Sequence, residues 1–184
     1  KQITDTAIVT ILITGGNEAP SAVEDAGSAF RTNADLLLTT PSLLLNDSDP
    51  DGDLLTVTSL DLAGTQGTVI LQADGSVTYQ PNASAKTLAQ NVVINDTFRY
   101  TIEDGAGFLD TATVVIEVVG INDSPVAKDD AGPGFFSERN ASFITGNVLS
   151  NDDDVDDGAV LSVVAFDTNL TTGTVTYNGD GTFT

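Results

Sequence analysis

The sequence predicts an all-β protein made of tandem β-sandwich modules that repeat about every 105 residues. Three observations predict this class: short runs rich in Val, Ile and Thr, Gly-containing turns between them, and the return of whole motifs at one spacing. The acidic segment NDSDPDGDLLTV, which begins at Asn46, returns as NDDDVDDGAVLSV from Asn151, 105 residues later. A fixed period of this kind marks an array in which each copy is one structural unit.

The predicted strands follow one another along the first copy and the segment before it. Several alternate apolar and polar residues, as a half-buried strand requires, and Asp-Gly pairs such as Asp74-Gly75 separate them. The predicted strands are residues 7–14, 54–60, 68–72, 76–80, 97–103 and 111–119. Residues 83–90 are predicted to form a turn or two of helix at most. This spacing favours a sandwich of about seven strands.

Two segments that run from Gly to Pro divide the chain. Residues 15–20 (GGNEAP) and 120–125 (GINDSP) each follow a long apolar run and close on proline, which ends strand pairing. We therefore predict that residues 1–16 are the last strand of a preceding repeat, 17–121 a complete repeat, and 122–184 the N-terminal part of a following repeat. The start without Met and in mid-repeat predicts a piece of a longer polypeptide.

Composition and charge exclude several classes of function. The formal net charge is −21 and only six residues are basic, so the sequence predicts no nucleic-acid binding. No apolar run approaches the roughly 20 residues that span a bilayer, so no membrane insertion is predicted. Without His or Cys there is no imidazole base, thiol nucleophile or zinc site, and we predict that the chain is not an enzyme. A cation is the natural partner of so many carboxylates, and a solvating acidic coat is the alternative.

The acidic loops carry the clearest candidate site. Four carboxylates alternate through the first loop: Asp47, Asp49, Asp51 and Asp53. Three recur in the second: Asp152, Asp154 and Asp156. Alternate oxygens converge when a turn wraps around a point, and Ca²⁺ takes 6–8 oxygen ligands. The loop lacks the Glu at its twelfth position that an EF-hand requires, so we predict calcium binding without an EF-hand.

The end of the complete repeat resembles a known family. Residues 98–127 (FRYTIEDGAGFLDTATVVIEVVGINDSPVA) resemble the end of a cadherin repeat, in which a strand closes on Asp-Gly, a second strand follows and an Asn-Asp linker ends in Pro. NDSDPDGDLLTVTSL resembles the acidic Asp-x-Asp loop of the same family. The closer resemblance is to bacterial cadherin-like repeats of the tandem-95 and VCBS type, found in giant surface adhesins and large secreted proteins. It covers the whole chain.

This resemblance implies calcium between successive modules. The residues implied at the first junction are Asn17, Glu18, Asp47, Asp49 and Asp104. Those implied at the second are Glu24, Asn122, Asp123, Asp152 and Asp154. The chain departs from the animal family in lacking a Leu-Asp-x-Glu motif, for which Asp96 is the only nearby substitute. Asp51, Asp53 and Asp156 are alternative ligands for a site inside the loop.

The implied role is that of a calcium-stiffened structural extender in a bacterial cell-surface or secreted adhesin, acting in cell adhesion or biofilms outside the cell. The alternatives are a polysaccharide- or ligand-binding module, which would need exposed aromatic side chains, and an accessory part of a large secreted enzyme. We assign Tyr79 and Tyr177 to packing rather than to sugar binding. The expected partners are neighbouring repeats, and also a second copy whose residues 5–14 enter the incomplete repeat, unless missing sequence completes that repeat.

Overall fold

The computed structural model describes residues 1–138 and 141–184, and it confirms the all-β class. Its strands are β1 (Arg31–Asn33), β2 (Leu38–Thr39), β3 (Thr56–Asp61), β4 (Thr68–Leu71), β5 (Val77–Gln80), β6 (Val93–Glu103) and β7 (Leu109–Val119). Short 3₁₀ turns occupy Ser28–Phe30, Leu43–Leu45, Ala83–Thr87 and Pro133–Phe135. The described part of the chain contains no α-helix.

The seven strands form two sheets that enclose one apolar core. The first sheet has the order β1-β7-β6-β3 and the second the order β2-β5-β4. Alternate residues of β6, namely Phe98, Tyr100 and Ile102, point inward and are at most 2% exposed. Val77 and Tyr79 of β5 meet them from the second sheet. The period of two in the sequence therefore marks the buried face of each long strand.

The first and last parts of the complete repeat lie side by side in the first sheet. β1 pairs in parallel with the end of β7, where Arg31 faces Glu117 and Asn33 faces Val119. Upstream of β1, an isolated parallel bridge joins Asp25 to Val114 of the same strand. The segment that enters this repeat therefore runs beside β7, the strand that leaves the repeat, and in the same direction.

The strand predicted over residues 7–14 is not formed in this structure, and the assignment of residues 1–16 to a preceding repeat stays a prediction. The apolar side chains of this segment stay exposed, with Ile8 at 95% and Leu12 at 86%. A β-strand needs a neighbour for its backbone groups, and residues 1–16 have none among the described residues. Their alternating apolar pattern can form a strand only where a neighbouring strand is available for pairing.

Residues 122–138 and 141–184 hold isolated bridges rather than named strands. Val126 pairs with Asp153, and Tyr177 pairs with Phe183. The Tyr177 ring also packs near Phe166 and Phe183, with centroids 6.4 and 5.2 Å away. None of the helices in the described residues has the length and apolar character needed to cross a membrane.

Candidate metal centres at the module junctions

The first acidic loop is fastened to the chain that enters the complete repeat. Ser21 and Ser48 exchange two backbone hydrogen bonds of 2.8 and 3.1 Å. The Glu18 N–H donates to Asp51 Oδ2 at 2.7 Å, and the Val23 N–H donates to Asp47 Oδ1 at 2.8 Å. Carboxylates that accept from backbone N–H groups make strong, charge-assisted bonds. The alternating aspartates therefore fix the linker as well as line the loop.

The second acidic loop repeats this arrangement with the corresponding residues. The Asp123 N–H donates to Asp156 Oδ2 at 2.9 Å, as Glu18 does to Asp51. The Lys128 N–H donates to Asp152 Oδ1 at 2.8 Å. The recurrence of the sequence motif is thus also a recurrence of contacts, and each linker is bound by the loop that follows it.

Each loop contains one buried carboxylate oxygen that has no hydrogen-bond partner among the described residues. Asp49 Oδ1 accepts from the Asp51 N–H at 2.8 Å, and Asp154 Oδ1 accepts from the Asp156 N–H at 2.9 Å. Asp49 Oδ2 and Asp156 Oδ1 are buried and have no hydrogen-bond partner within residues 1–138 and 141–184. Leaving a charged acceptor buried and unsatisfied is costly, and a hard cation would satisfy it. These residues therefore fit calcium.

Asp104 extends the first site from the turn between β6 and β7. Its Oδ2 accepts from Asn17 Nδ2 at 2.7 Å, and its Oδ1 accepts from the Ala106 and Phe108 N–H groups at 2.8 and 2.9 Å. Burial opposes ionisation, but the bonds from Asn17 and from the turn outweigh it and lower the pKa of Asp104. Asp104 is therefore an ionised carboxylate held beside the linker.

Glu24, which the resemblance implies at the second junction, lies beside the first acidic loop in this structure. The Glu24 carbonyl accepts from Asn46 Nδ2 at 3.1 Å, at the first acidic loop. Its neighbour Asp25 pairs with Val114, five residues before the end of β7. That separation is about 17 Å along a strand. This position separates Glu24 from Asn122 and Asp123, with which the resemblance groups it at the second junction.

Asp96, the substitute for the missing acidic motif, has a structural role. Its side chain is 3% exposed and accepts from four donors: the Gln66, Gly67 and Thr97 N–H groups and the Tyr79 hydroxyl. The Tyr79 bond, at 2.7 Å, joins β6 of the first sheet to β5 of the second. Burial and this carboxylate raise the pKa of Tyr79. Asp96 is thus fully used inside the sandwich.

The second junction also has a direct contact between the two repeats. The Asp157 N–H donates to the Thr87 carbonyl at 2.7 Å, and Thr87 Oγ1 donates to Asp157 Oδ2 at 3.1 Å. Gly52 and Gly158 both have positive φ, but Gly52 directly follows Asp51 whereas Asp157 stands between Asp156 and Gly158, so Asp157 is the extra residue of the second loop. The two copies of the loop in the sequence reveal the inserted Asp157, but they do not reveal its contact with Thr87.

Carboxylates alone do not complete a metal shell at either junction. Within the described residues, no three Asp, Glu, His or Cys side chains are grouped closely enough to hold a metal ion. Calcium also accepts amide and backbone oxygens and water as ligands, and Asn17 and Asn122 lie in the linkers. Any calcium site here therefore combines loop carboxylates with such oxygens.

Comparison with known families agrees with this architecture. Residues 17–120 match the family described as bacterial cadherin-like domain, and residues 121–184 match the one described as cadherin-like domain. The chain therefore belongs to the bacterial cadherin-like domain family, with two such domains in tandem. Only structural domains of this type match it; they are typical of surface or secreted proteins, are usually extracellular and often bind calcium. The comparison with curated proteins found no match.

Proposed function

We propose that this chain is a calcium-stiffened extender segment of a bacterial cell-surface or secreted adhesin. One observation carries the proposal: both acidic loops bind their linker through the same contact, Glu18 to Asp51 and Asp123 to Asp156. Each loop also leaves a buried carboxylate oxygen without a partner in the described residues. A loop that joins one repeat to the next and still has free oxygen ligands is suited to fixing the angle between repeats.

The residues that would hold calcium follow from these contacts. At the first junction they are Asn17, Asp49, Asp51 and Asp104, and at the second Asn122, Asp123, Asp154 and Asp156. Bound calcium would supply the positive charge and the fixed oxygen shell that facing carboxylates need. The chain itself supplies the alignment, because backbone N–H groups hold one oxygen of each loop on the linker.

The chemistry of the loops favours a structural role over ligand binding. A polysaccharide platform uses exposed aromatic rings, whereas Tyr79 and Tyr100 are at most 1% exposed. Tyr177 packs against Phe166 and Phe183. The tyrosines therefore contribute to packing.

The proposal predicts that calcium orders the second junction. The chain has no Cys, so Ala63→Cys with Asn169→Cys places one spin label on an exposed turn of each repeat. We expect a narrow distribution of distances between the labels in CaCl₂ and a broad one in EDTA. Asp154→Asn with Asp156→Asn should remove the difference, because both loop carboxylates lose their charge.

The control is Asp180→Asn, which removes one carboxylate charge in an exposed turn and keeps an oxygen for the Thr182 N–H. It should behave like the unaltered chain. Equal distance distributions in CaCl₂ and EDTA would refute the extender proposal.

We also propose a second copy of the chain as a partner through residues 5–14. Val9, Ile11 and Ile13 would share one face of an extended strand, and they are 82%, 78% and 87% exposed. An apolar segment with unpaired backbone groups can add to a sheet edge in another molecule. Light scattering should show association that Ile11→Lys with Ile13→Lys abolishes. A monomer at all concentrations would contradict this.

A further inference from the structure

We propose that Asp25 and Asp47, together with Asn46, form a divalent-cation site inside the complete repeat, separate from both junctions. The site lies between the segment before β1 and the first acidic loop. It needs no second repeat, so it does not depend on the proposed extender function.

Asp25 is a buried carboxylate whose backbone is firmly placed. Its N–H donates to the Thr113 carbonyl at 3.0 Å, and its carbonyl accepts from the Val115 N–H at 2.9 Å. The residue is only 4% exposed. Its Oδ2 is buried and has no hydrogen-bond partner in the part of the chain that the structure describes. The two bonds to β7 hold Asp25 in this position.

The oxygens beside Asp25 outnumber the protons available to them. The Tyr100 hydroxyl lies 3.0 Å from the Val23 carbonyl, 3.0 and 3.1 Å from the two oxygens of Asp47, and 3.3 Å from the Leu43 carbonyl. A tyrosine hydroxyl has one proton and donates to one acceptor at a time. The Val23 carbonyl also accepts from Asn46 Nδ2, and Asp47 Oδ1 accepts from the Val23 N–H. The oxygens short of a donor are therefore Asp47 Oδ2, which depends on the Tyr100 hydroxyl, and Asp25 Oδ2.

The local charge is negative and has no basic neighbour. Burial and, less strongly, the charge of Asp47 raise the pKa of Asp25 to about 6. Burial likewise raises the pKa of Asp47, which also faces Asp110. Within the described residues, the carboxylates in ion pairs are those of Glu117, Asp35 and Asp153, and not those of Asp25 or Asp47. A divalent cation would supply the missing charge.

The next repeat has equivalent residues, and one of their contacts is the same. Asp130, Asn151 and Asp152 stand 105 residues after Asp25, Asn46 and Asp47. Asn151 Nδ2 donates to the Asp129 carbonyl at 3.1 Å, as Asn46 Nδ2 does to the Glu24 carbonyl at 3.1 Å. Asn151 Oδ1 is buried and lacks a hydrogen-bond partner among residues 1–138 and 141–184. The unpartnered oxygen in this repeat belongs to Asn151, the counterpart of Asn46, whereas in the complete repeat it belongs to Asp25.

Terbium tests the site directly, because tyrosine sensitises the emission of a nearby Tb³⁺ ion and Tyr100 touches Asp47. With TbCl₃ as the probe and excitation of tyrosine, the unaltered chain should emit strongly. Asp25→Asn should lose most of this emission and bind one Ca²⁺ fewer by calorimetry. Asp61→Asn, an exposed aspartate whose Asn form keeps an oxygen for the Ala63 N–H, should match the unaltered chain.

The outcomes separate this site from the second junction. Asp154→Asn with Asp156→Asn should keep the tyrosine-sensitised emission, since those carboxylates lie in the second loop. Unchanged emission and stoichiometry in Asp25→Asn would overturn the proposal and leave the spin-label result at the junction unaffected. If Asp25→Asn does not fold, crystals of the unaltered chain soaked in TbCl₃ provide the test. An anomalous peak between Asp25 and Asp47 is expected. Its absence would overturn the proposal and show that a proton, rather than a cation, neutralises these carboxylates.

Discussion

Asp96→Ala is expected to lower the free energy of unfolding of the complete repeat by about 4 kcal/mol, since it removes a charged acceptor and leaves buried donors without a partner. The carboxylate accepts from the Gln66, Gly67 and Thr97 N–H groups and from the Tyr79 hydroxyl. Urea unfolding in EDTA, monitored by circular dichroism, measures the change without any contribution from a metal.

Two variants separate the contributions to this loss. Tyr79→Phe removes only the bond between the sheets and should cost about 1 to 2 kcal/mol. Asp61→Asn changes an exposed carboxylate outside the core and should cost about 0.5 kcal/mol or less. A loss in Asp96→Ala no larger than that in Asp61→Asn would show that Asp96 does not hold the two sheets together.

Calcium is expected to raise the melting temperature of the chain. A ligand at a hundred times its dissociation constant stabilises the native state by about 2.7 kcal/mol. For a domain of this size that corresponds to roughly 10 °C. Calorimetric scans in millimolar CaCl₂ and in EDTA measure the difference. Asp47→Asn with Asp49→Asn should fold and should show a smaller shift, because the loop lies outside the strand core and the change removes charge rather than packing.

A salt control distinguishes binding from screening. Surface repulsion in a chain of net charge −21 also weakens as ionic strength rises. NaCl at the ionic strength of the CaCl₂ sample should therefore give only a small part of the shift. Identical melting curves in CaCl₂ and EDTA at low ionic strength would refute the calcium proposal.

The long strands could be predicted because they carry many alternating apolar residues. The predicted strands at 54–60, 68–72, 76–80, 97–103 and 111–119 coincide closely with β3 to β7. β1 and β2 have three and two residues, too few for a period to be visible, and their positions depend on pairing with β7 and β5. The pattern at 7–14 predicts a strand for the same local reason, but no neighbour is present to pair with it.

The candidate site could be predicted only in part. Alternating aspartates in two copies identify the acidic loops, but sequence does not show which backbone N–H groups each oxygen accepts from. Asp25 follows Glu24 outside the alternating pattern of the loops, and its signal is the recurrence as Asp130. Its burial depends on pairing with β7, which is distant in sequence. The position of Glu24 has the same origin, since the entering segment follows β7 rather than reaching the far linker.

The parallel pairing of the entering segment with β7 determines how the complete repeat would respond to tension. A pull on the two linkers would draw Asp25 and β1 one way and the end of β7 the other, so the two would slide past each other. The hydrogen bonds from Thr113 to Val119 lie across that direction and would share the load together. An antiparallel pair pulled apart from one end would instead break them one after another. The arrangement of these first and last segments therefore favours a repeat that resists extension, whatever occupies its acidic loops.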